Sequence, residues 1–245
     1  MKKGTNNQND MENLIYGRNP LFSFLSSNHI LKVFLQTGFS DQKVLNALKE
    51  KNIKPNYVDI NTLNKMTHNG AHQGVAALVK PFEYSSLDEI IAFSKKKEHP
   101  LILILDEIND PHNFGAIIRT CDAMSVDGII IKNRNQVPVN MTVAKVSTGA
   151  IDFVKVAMVN NLVNAIKKLK DEGFWVYSAD GSGDQDYSKV KYDGSVALVV
   201  GSEGFGISRL VLENSDFIIK IPMTGHVNSL NVSVATSIIL SRIRN

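Results

Sequence analysis

Three polar stretches in the C-terminal part of the chain contain side chains that could bind a small molecule and act on it. They are NDPHNFGAIIRT (109–120), GSEGFG (201–206) and TGHVNSLN (224–231). Asn113, Ser229 and Asn231 offer neutral hydrogen bonds, and Glu203 can accept hydrogen bonds from an amine, a hydroxyl or a guanidinium. Arg119 can clamp a phosphate or a carboxylate. Together these side chains are suited to the recognition of a polar small molecule.

Several of these residues also have a purely structural interpretation. Asn113 lies at a predicted helix start, where an asparagine often serves as the N-cap. Arg119 could be an ordinary surface residue. The GSEGFG turn could bind no ligand, and its glycines do not have the G-x-G-x-x-G spacing or the early position of a dinucleotide-binding loop. Glu203 favours a ligand other than phosphate, because a carboxylate in a tight turn repels phosphate.

The histidines do not have the spacing of a metal site. His68 and His72 are four residues apart, but a Gly-Ala pair between them argues against a shared helix face. His112 and His226 have no cysteine or acidic partners at ligand spacing. We therefore predict no metal ion. His112 could be a general base, although a structural role or a contact with RNA is the preferred interpretation.

The elements that position the three polar stretches follow a regular alternation after Pro100. Short apolar runs, of which LILILD is the clearest, alternate with amphipathic segments. A run that is apolar at every position is typical of a strand buried on both faces of a parallel sheet. The alternation predicts a doubly wound parallel α/β domain over residues 100–245. Each polar stretch follows a strand directly, where such sheets bind their ligands.

The first third of the chain has a different organisation. Residues 13–81 alternate short helices and strands and predict a small, separate α/β domain. Residues 82–99 are predicted to be a linker that contains one helix, and residues 1–12 a polar, disordered tail. The first 85 residues contain ten Lys/Arg against six Asp/Glu, whereas the remainder has no positive excess. This distribution is compatible with a polyanionic partner, but also with a lysine-rich solvated surface.

Composition narrows the functional class further. The apolar runs are far shorter than the roughly 18 residues that a membrane-spanning helix needs, and the N-terminus lacks the apolar core of a secretory signal. Cys121 is the only cysteine, so the chain has no internal disulfide. We expect a cytoplasmic protein without a membrane segment.

In their order and spacing, the three polar stretches resemble the signature motifs of the SpoU/TrmH family of RNA 2′-O-ribose methyltransferases, which belongs to the SPOUT superfamily. The resemblance extends over residues 100–245. The N-terminal unit, with YGRNP at residues 16–20 and HQGVAALV at residues 72–79, resembles the L30e-like RNA-binding domain of one subgroup. That subgroup methylates a guanosine in 23S rRNA.

The resemblance implies a fold, a cofactor and a partner. It implies that a C-terminal trefoil knot holds S-adenosylmethionine against the main chain at Gly201, Ile221 and Leu230. Glycine at position 201 would let the cofactor approach the backbone closely. It also implies a homodimer with RNA as its substrate, 23S rRNA in the first place. A tRNA substrate, or a non-catalytic RNA-binding role in ribosome assembly, is the alternative.

The same resemblance assigns catalytic roles to five residues: Asn113, Arg119, Glu203, Ser229 and Asn231. Because a guanidinium is a reluctant base, we expect Arg119 to hold a phosphate and to stabilise the developing alkoxide. Glu203 is expected to orient Arg119 or a ribose, and the other three to position the ribose and the cofactor. The Gly-His-Val-Asn sequence before Ser229 departs from the small polar residues common in the family. His226 within it could contact RNA or have no specific role.

Overall fold

The computed structural model describes residues 13–25 and 29–245, so the tail predicted at residues 1–12 lies outside the described part. The chain divides into two compact units, the first ending at Phe82 and the second running from Glu83 to Asn245. Among the described residues, no helix has the length and apolarity to cross a membrane.

The first unit is a small α/β domain built on a four-stranded sheet. Its elements are β1 (Leu14–Tyr16), α1 (Arg18–Leu25), β2 (Ile30–Gln36), α2 (Gln42–Glu50), β3 (Asn56–Val58), α3 (Ile60–Met66) and β4 (Val75–Val79). The strand order is β1-β4-β2-β3, with β2 parallel to β3 and antiparallel to β4. Asp41 caps α2, because its carboxylate accepts a hydrogen bond from the Lys43 N–H at 2.9 Å.

Most of the segment that we expected to be a linker belongs to the second unit. It contains α4 (Leu87–Ser94), which starts in a capping box between Ser86 and Glu89. Ile90 and Ile91 of this helix are buried in the core of the second unit. The isoleucines indicate an apolar helix face, but the unit that buries this face depends on the sheet beneath the helix.

The second unit is a doubly wound α/β domain with a seven-stranded sheet, as predicted. Its strands are β5 (Leu101–Asp106), β6 (Gly128–Lys132), β7 (Val156–Val159), β8 (Phe174–Ala179), β9 (Gln185–Asp186), β10 (Ser195–Gly201) and β11 (Phe217–Lys220). Its helices after α4 are α5 (Pro111–Ala123), α6 (Met141–Val146), α7 (Leu162–Asp171), α8 (Arg209–Asn214) and α9 (Val232–Arg244). All six residues of β5 are buried, as expected for a strand covered on both faces.

The strand order places the first two polar stretches near each other. It is β7-β6-β5-β10-β8-β11-β9, and every pairing between neighbours is parallel. The strands β5 and β10 are adjacent, with Asp106 opposite Gly201 at their carboxyl ends. The loops that follow these two strands therefore leave the sheet side by side, although their residues are far apart in the sequence.

The C-terminal helix differs from the sequence-based prediction in its buried face. The four-residue spacing of Leu230, Val234 and Ile238 in the sequence predicts one apolar stripe, but Leu230 precedes the helix and Val234 is 47% exposed. The buried residues are Val232, Thr236, Ile239 and Leu240. Two neighbouring stripes of this helix are both apolar, so periodicity alone could not choose between them. The two-residue strand β9 was also missed, because a strand so short has no recognisable pattern.

Asp127 joins three elements of the second unit and is expected to be important for its stability. Its buried carboxylate accepts hydrogen bonds from the Ser94 hydroxyl at 2.8 Å and from the Leu101 N–H at 2.7 Å. The substitution Asp127→Ala leaves both donors without this acceptor. We expect it to lower the free energy of unfolding by about 1–3 kcal/mol, measured by urea denaturation. The matched control is Asp171→Ala, at an exposed carboxylate, and equal midpoints for the two variants would contradict this role.

Candidate active site

Side chains from the three polar stretches meet at the carboxyl edge of the sheet. One oxygen of Glu203 accepts a hydrogen bond from the Asn113 amide at 3.2 Å, one from the Asn231 amide, and one from the Val232 N–H at 3.3 Å. The Asn231 amide also donates to the Asn113 carbonyl oxygen at 2.9 Å. Three of the five predicted catalytic residues thus form one hydrogen-bonded cluster, which we call the amide–carboxylate cluster (Asn113, Glu203 and Asn231).

Asn113 is not the N-cap of α5. That position is held by Asp110, whose carboxylate accepts a hydrogen bond from the His112 N–H at 2.8 Å, and Pro111 follows as the first helical residue. The side chain of Asn113, one turn into the helix, is therefore free to contact Glu203. The capping interpretation of Asn113 was wrong, since the preceding aspartate already fills that role.

Asn231 is the N-cap of α9, and this fixes the direction of its amide. Its carbonyl oxygen accepts hydrogen bonds from the Ser233 N–H at 3.0 Å and the Ser233 hydroxyl at 2.6 Å. The amide nitrogen must then point the other way, toward Glu203 and Asn113. The carboxylate of Glu203 also lies at the N-terminus of this helix, where the helix dipole favours negative charge.

Glu203 is held in place by a tight hairpin. Ser202 and Gly206 exchange two backbone hydrogen bonds of 3.1 and 2.9 Å, and Gly206 has a φ of +66°. A Cβ on Gly201 would lie 2.2 Å from the Gly206 carbonyl oxygen. Glycine is thus required at position 201 by the close approach of the hairpin's own backbone. The expected reason, space for a cofactor against the main chain, is not needed to explain it.

Two carboxylates, at the ends of the two strands that flank β10, anchor the segment that follows the hairpin. Asp106, buried at the end of β5, accepts a hydrogen bond from the Ser208 N–H at 2.8 Å. Asp180, after β8, accepts hydrogen bonds from Ser182 and from the Ile207 N–H. Partial burial opposes ionisation of Asp180, but these hydrogen bonds outweigh it and keep the pKa of its carboxyl below the ordinary value.

A second charged group lies beside Asp106. The Lys132 ammonium is 3.7 Å from the Asp106 carboxylate and 2.6 Å from that of Glu107. The hydrogen bond from Lys132 lowers the pKa of Glu107, against the smaller effect of burial. Glu107 has a φ of +63°, so the chain turns sharply as it leaves β5 toward α5.

The three residues predicted to bind the cofactor, Gly201, Ile221 and Leu230, line a single cavity beside the amide–carboxylate cluster. Glu203 and Ser229 also line it. Sequence analysis missed one wall, which comes from the end of β8 and consists of Ala179, Asp180 and Gly181. The signal that could have revealed this wall is the Asp-Gly-Ser-Gly sequence directly after a buried strand.

The remaining predicted residues are not part of the cluster. Arg119 is exposed and makes no hydrogen bond or ion pair with any residue that the structure describes. It follows Asn113 by six residues, which places it about 240° around the helix and about 9 Å along its axis. Ser229 is exposed at the cavity and has no hydrogen-bond partner within residues 13–25 and 29–245. His112 and His226 are also exposed.

Metal ligands do not gather anywhere in the described part of the chain. Residues 13–25 and 29–245 contain no group of three or more His, Cys, Asp or Glu side chains placed to hold a metal ion. Cys121 is fully buried, and burial raises the pKa of its thiol far above the ordinary value.

Two family models match the chain. The model described as the SpoU rRNA Methylase family matches residues 100–241. The model described as RNA 2'-O ribose methyltransferase substrate binding matches residues 14–85. Each match falls within one of the two structural units, or extends only a few residues beyond it.

Relatives and solved structures agree with the family models. A protein of Staphylococcus aureus (strain COL) assigned to the TrmH family of tRNA/rRNA methyltransferases is 46% identical, over 94% of each chain. The SpoU methyltransferase AviRb from Streptomyces viridochromogenes, solved with AdoMet, has the same fold, with a TM-score of 0.75 and 20% identity over 98% of this chain and 93% of that one. The A. aeolicus TrmH/SpoU tRNA modifying enzyme is 33% identical, covers 64% of this chain and 80% of its own, and has a TM-score of 0.56.

The family expected from the three motifs is thereby confirmed. A family model spanning residues 100–241, together with relatives 46% identical along nearly the whole chain, leads to one conclusion: this chain belongs to the SpoU/TrmH family of RNA methyltransferases.

Proposed function

We propose that this chain transfers the methyl group of S-adenosylmethionine to a ribose 2′-hydroxyl of RNA, and that its substrate is a guanosine of 23S rRNA. The observation that carries the proposal is the position of the amide–carboxylate cluster at the rim of a cavity. Gly201, Ile221 and Leu230 line that cavity. A binding site and a set of polar groups that can orient a hydroxyl thus lie side by side.

The cavity fits S-adenosylmethionine better than a dinucleotide. Its walls combine apolar side chains such as Val200, Ile219 and Leu230 with two carboxylates and one cation. The charged groups are Asp180, Glu203 and Lys220, so negative charge predominates. Carboxylates repel the phosphates of a dinucleotide, whereas they accept hydrogen bonds from hydroxyls and attract a sulfonium cation. When bound, S-adenosylmethionine supplies an electrophilic methyl group. Gly201, Ile221 and Leu230 are the residues that we assign to holding it.

The chain's own side chains have to orient and activate the ribose hydroxyl. A hydroxyl is a weak nucleophile until it loses its proton, and it must also be held in line with the methyl group, about 3 Å away. Asn113, Ser229 and Asn231 are assigned to positioning it, with Glu203 locking both amides in place. Arg119 is assigned to holding an adjacent phosphate and stabilising the alkoxide as it forms. A guanidinium is a reluctant base, so the proton of the hydroxyl leaves to water and not to Arg119.

The position of Arg119 favours a homodimer in which each protomer completes the other's site. Arg119 is exposed and unpaired within the described residues, and it does not point to the same side of α5 as Asn113. A guanidinium presented on the surface can reach the cavity of a second copy packed against α5 and α9. We propose this arrangement, together with a trefoil knot formed by the loops that line the cavity.

The first unit is proposed to grip the RNA. Residues 13–81 form this domain, which the substrate-binding family model supports through its match to residues 14–85. Recognition of folded RNA relies on its shape, its phosphates and its 2′-hydroxyls. The positive charge excess of the first 85 residues suits such a partner. A 23S rRNA substrate would also place the protein in the cytoplasm.

A tRNA substrate is the second candidate. It is favoured by the similarity to the A. aeolicus tRNA modifying enzyme, which is 33% identical over 64% of this chain. That similarity covers only part of this chain. The substrate-binding model that matches residues 14–85 names no particular RNA. The rRNA proposal rests on the resemblance of this domain to that of the subgroup that methylates 23S rRNA.

Mapping methylated riboses in cells with and without this protein distinguishes the 23S rRNA substrate from the tRNA substrate. We expect one 2′-O-methyl mark to disappear from 23S rRNA and to return with the wild-type gene. The marks on tRNA should stay unchanged in the same samples. Loss of a tRNA mark alone would overturn the rRNA proposal, and no lost mark in either RNA would overturn methyl transfer itself.

The substitution Glu203→Gln tests the amide–carboxylate cluster. Glutamine keeps the shape of the side chain but removes the negative charge from the oxygen that accepts three N–H hydrogen bonds. We expect kcat to fall about 10- to 100-fold, corresponding to a weakened charged hydrogen bond. Calorimetry should show a smaller loss of affinity for S-adenosylmethionine, because Glu203 is one of two carboxylates that line the cavity and Asp180 remains.

The matched control is Glu213→Gln, which removes an exposed carboxylate paired with Arg209 on α8. It should leave both quantities unchanged. Full turnover by the Glu203→Gln protein would show that the carboxylate is not needed to orient the amides.

Co-expression of two inactive variants tests whether Arg119 acts across a dimer. Arg119→Ala and Asn231→Ala should each lower turnover by at least about tenfold as homodimers. A mixed dimer has one site with an intact Asn231 and with Arg119 supplied by the other protomer. We therefore expect co-expression to restore methyl transfer at one of the two sites. The control is co-expression of Arg119→Ala with the double variant Arg119→Ala, Asn231→Ala, because this mixture contains no intact Arg119. If the first mixture were inactive, Arg119 would act in the site of its own protomer.

A further inference from the structure

The hairpin that carries Glu203 also presents a large apolar side chain to solvent. Between the paired residues Ser202 and Gly206 lie Glu203, Gly204 and Phe205. Glu203 points into the amide–carboxylate cluster, whereas Phe205 is 92% exposed, the highest value among the large hydrophobic residues that the structure describes. A Cβ built on Gly204 would meet no atom within 4 Å, so the space beside the tip is open.

This exposed ring stands on a well-fixed backbone. The Phe205 N–H donates a hydrogen bond to the Ser202 hydroxyl at 3.3 Å. The hairpin is closed by the two backbone bonds between Ser202 and Gly206, and the segment after it is anchored to Asp106 through Ser208. Holding the backbone in place lowers the entropic cost of binding through the side chain. The ring is therefore presented to solvent in a restricted position.

The location of Phe205 indicates the kind of molecule that it meets. It is two residues from Glu203, and the residues on both sides of the tip, Glu203 and Gly206, line the cavity, while Phe205 does not. An RNA whose ribose enters the site must pass its neighbouring nucleotides over this rim. Unpaired bases expose apolar faces that stack on aromatic side chains. A tip with one large side chain between glycines suits a single flat base, whereas a protein partner would need a broader apolar patch.

We propose that Phe205 stacks on a nucleobase of the RNA substrate next to the ribose that receives the methyl group. The inference rests on the proposed function, because it takes RNA as the molecule that enters the site. Stacking depends on the π-face that every base presents, so Phe205 contributes affinity and orientation without selecting one base. It is an RNA-binding residue at the rim and has no part in holding the cofactor.

Fluorescence can report this contact directly. The chain contains a single tryptophan, Trp175, which lies on β8. In the full-length Trp175→Phe, Phe205→Trp protein, the only tryptophan is at the hairpin tip. Adding an unmethylated 23S rRNA transcript is expected to quench its emission with saturation, as a stacked base does. The wild-type protein, with Trp175 alone, is the control and should be quenched much less. No quenching of the tip tryptophan would overturn the proposal.

Affinity measurements separate stacking from general apolar contact. Phe205→Leu keeps an apolar side chain without a π-face, and Phe205→Tyr keeps the ring. We expect the leucine variant to bind the transcript about tenfold more weakly, the order of magnitude of one stacking contact, and the tyrosine variant to bind like wild type. Affinity for S-adenosylmethionine and the thermal midpoint should not change in either. Equal RNA binding by the leucine and wild-type proteins would overturn the proposal.

Sedimentation and a methyl-transfer assay distinguish base stacking from a contact between copies of the chain and from failure of the proposed function. If Phe205→Ala reduced the molar mass in sedimentation, the ring would be a contact between copies of the chain and the stacking proposal would be overturned. Methyl transfer by the wild-type protein is assayed on the same transcript. Dependence of RNA binding on Phe205 without any methyl transfer would overturn the proposed function and support the stacking contact.

Discussion

One carboxylate oxygen organises the candidate active site. Glu203 accepts hydrogen bonds from the Asn113 amide, the Asn231 amide and the Val232 N–H. Asn113 and Asn231 are 90 and 28 residues away from Glu203 in the sequence. An ionised acceptor makes stronger hydrogen bonds than a neutral one, and three donors that converge on it restrict one another. The starts of α5 and α9 are thereby fixed relative to the hairpin after β10.

The convergence of these groups depends on the parallel sheet. Because β5 and β10 are adjacent and in register, Asp106 lies opposite Gly201, and the loops after both strands leave the same edge. Asp106 then holds the hairpin's C-terminal side through the Ser208 N–H. Gly201 allows the hairpin to fold back to within contact distance of the strand end. The ends of β5 and β10 thus determine the position of Glu203. Glu203 in turn orients the amides of Asn113 and Asn231.

The site combines a fixed part with an open part. Asn113, Glu203 and Asn231 hold one another by hydrogen bonds within the chain, which is the condition for a preorganised polar site. Arg119, Ser229 and Phe205 are exposed around it. This division suits a reaction between two substrates, in which a preformed cavity holds the small one and the exposed groups meet a large RNA.

Much of this architecture could be predicted from the sequence. The fully apolar run of β5 indicated a strand buried on both faces, and the alternation after Pro100 indicated a parallel sheet. The spacing of the motifs around Asn113, Glu203 and Asn231 identified the family. Each run and each motif is a local pattern within one short stretch of the chain.

The tertiary structure decided which face of α9 was buried, because two of its stripes are apolar and only packing against α5 and β10 selects Ile239 over Val234. It also decided that Asn113 bonds to Glu203 and leaves the cap to Asp110, that Gly201 makes room for its own hairpin, and that Asp180 borders the cavity. Each of these outcomes depends on which strands become neighbours, and strand order is not contained in any single stretch of sequence.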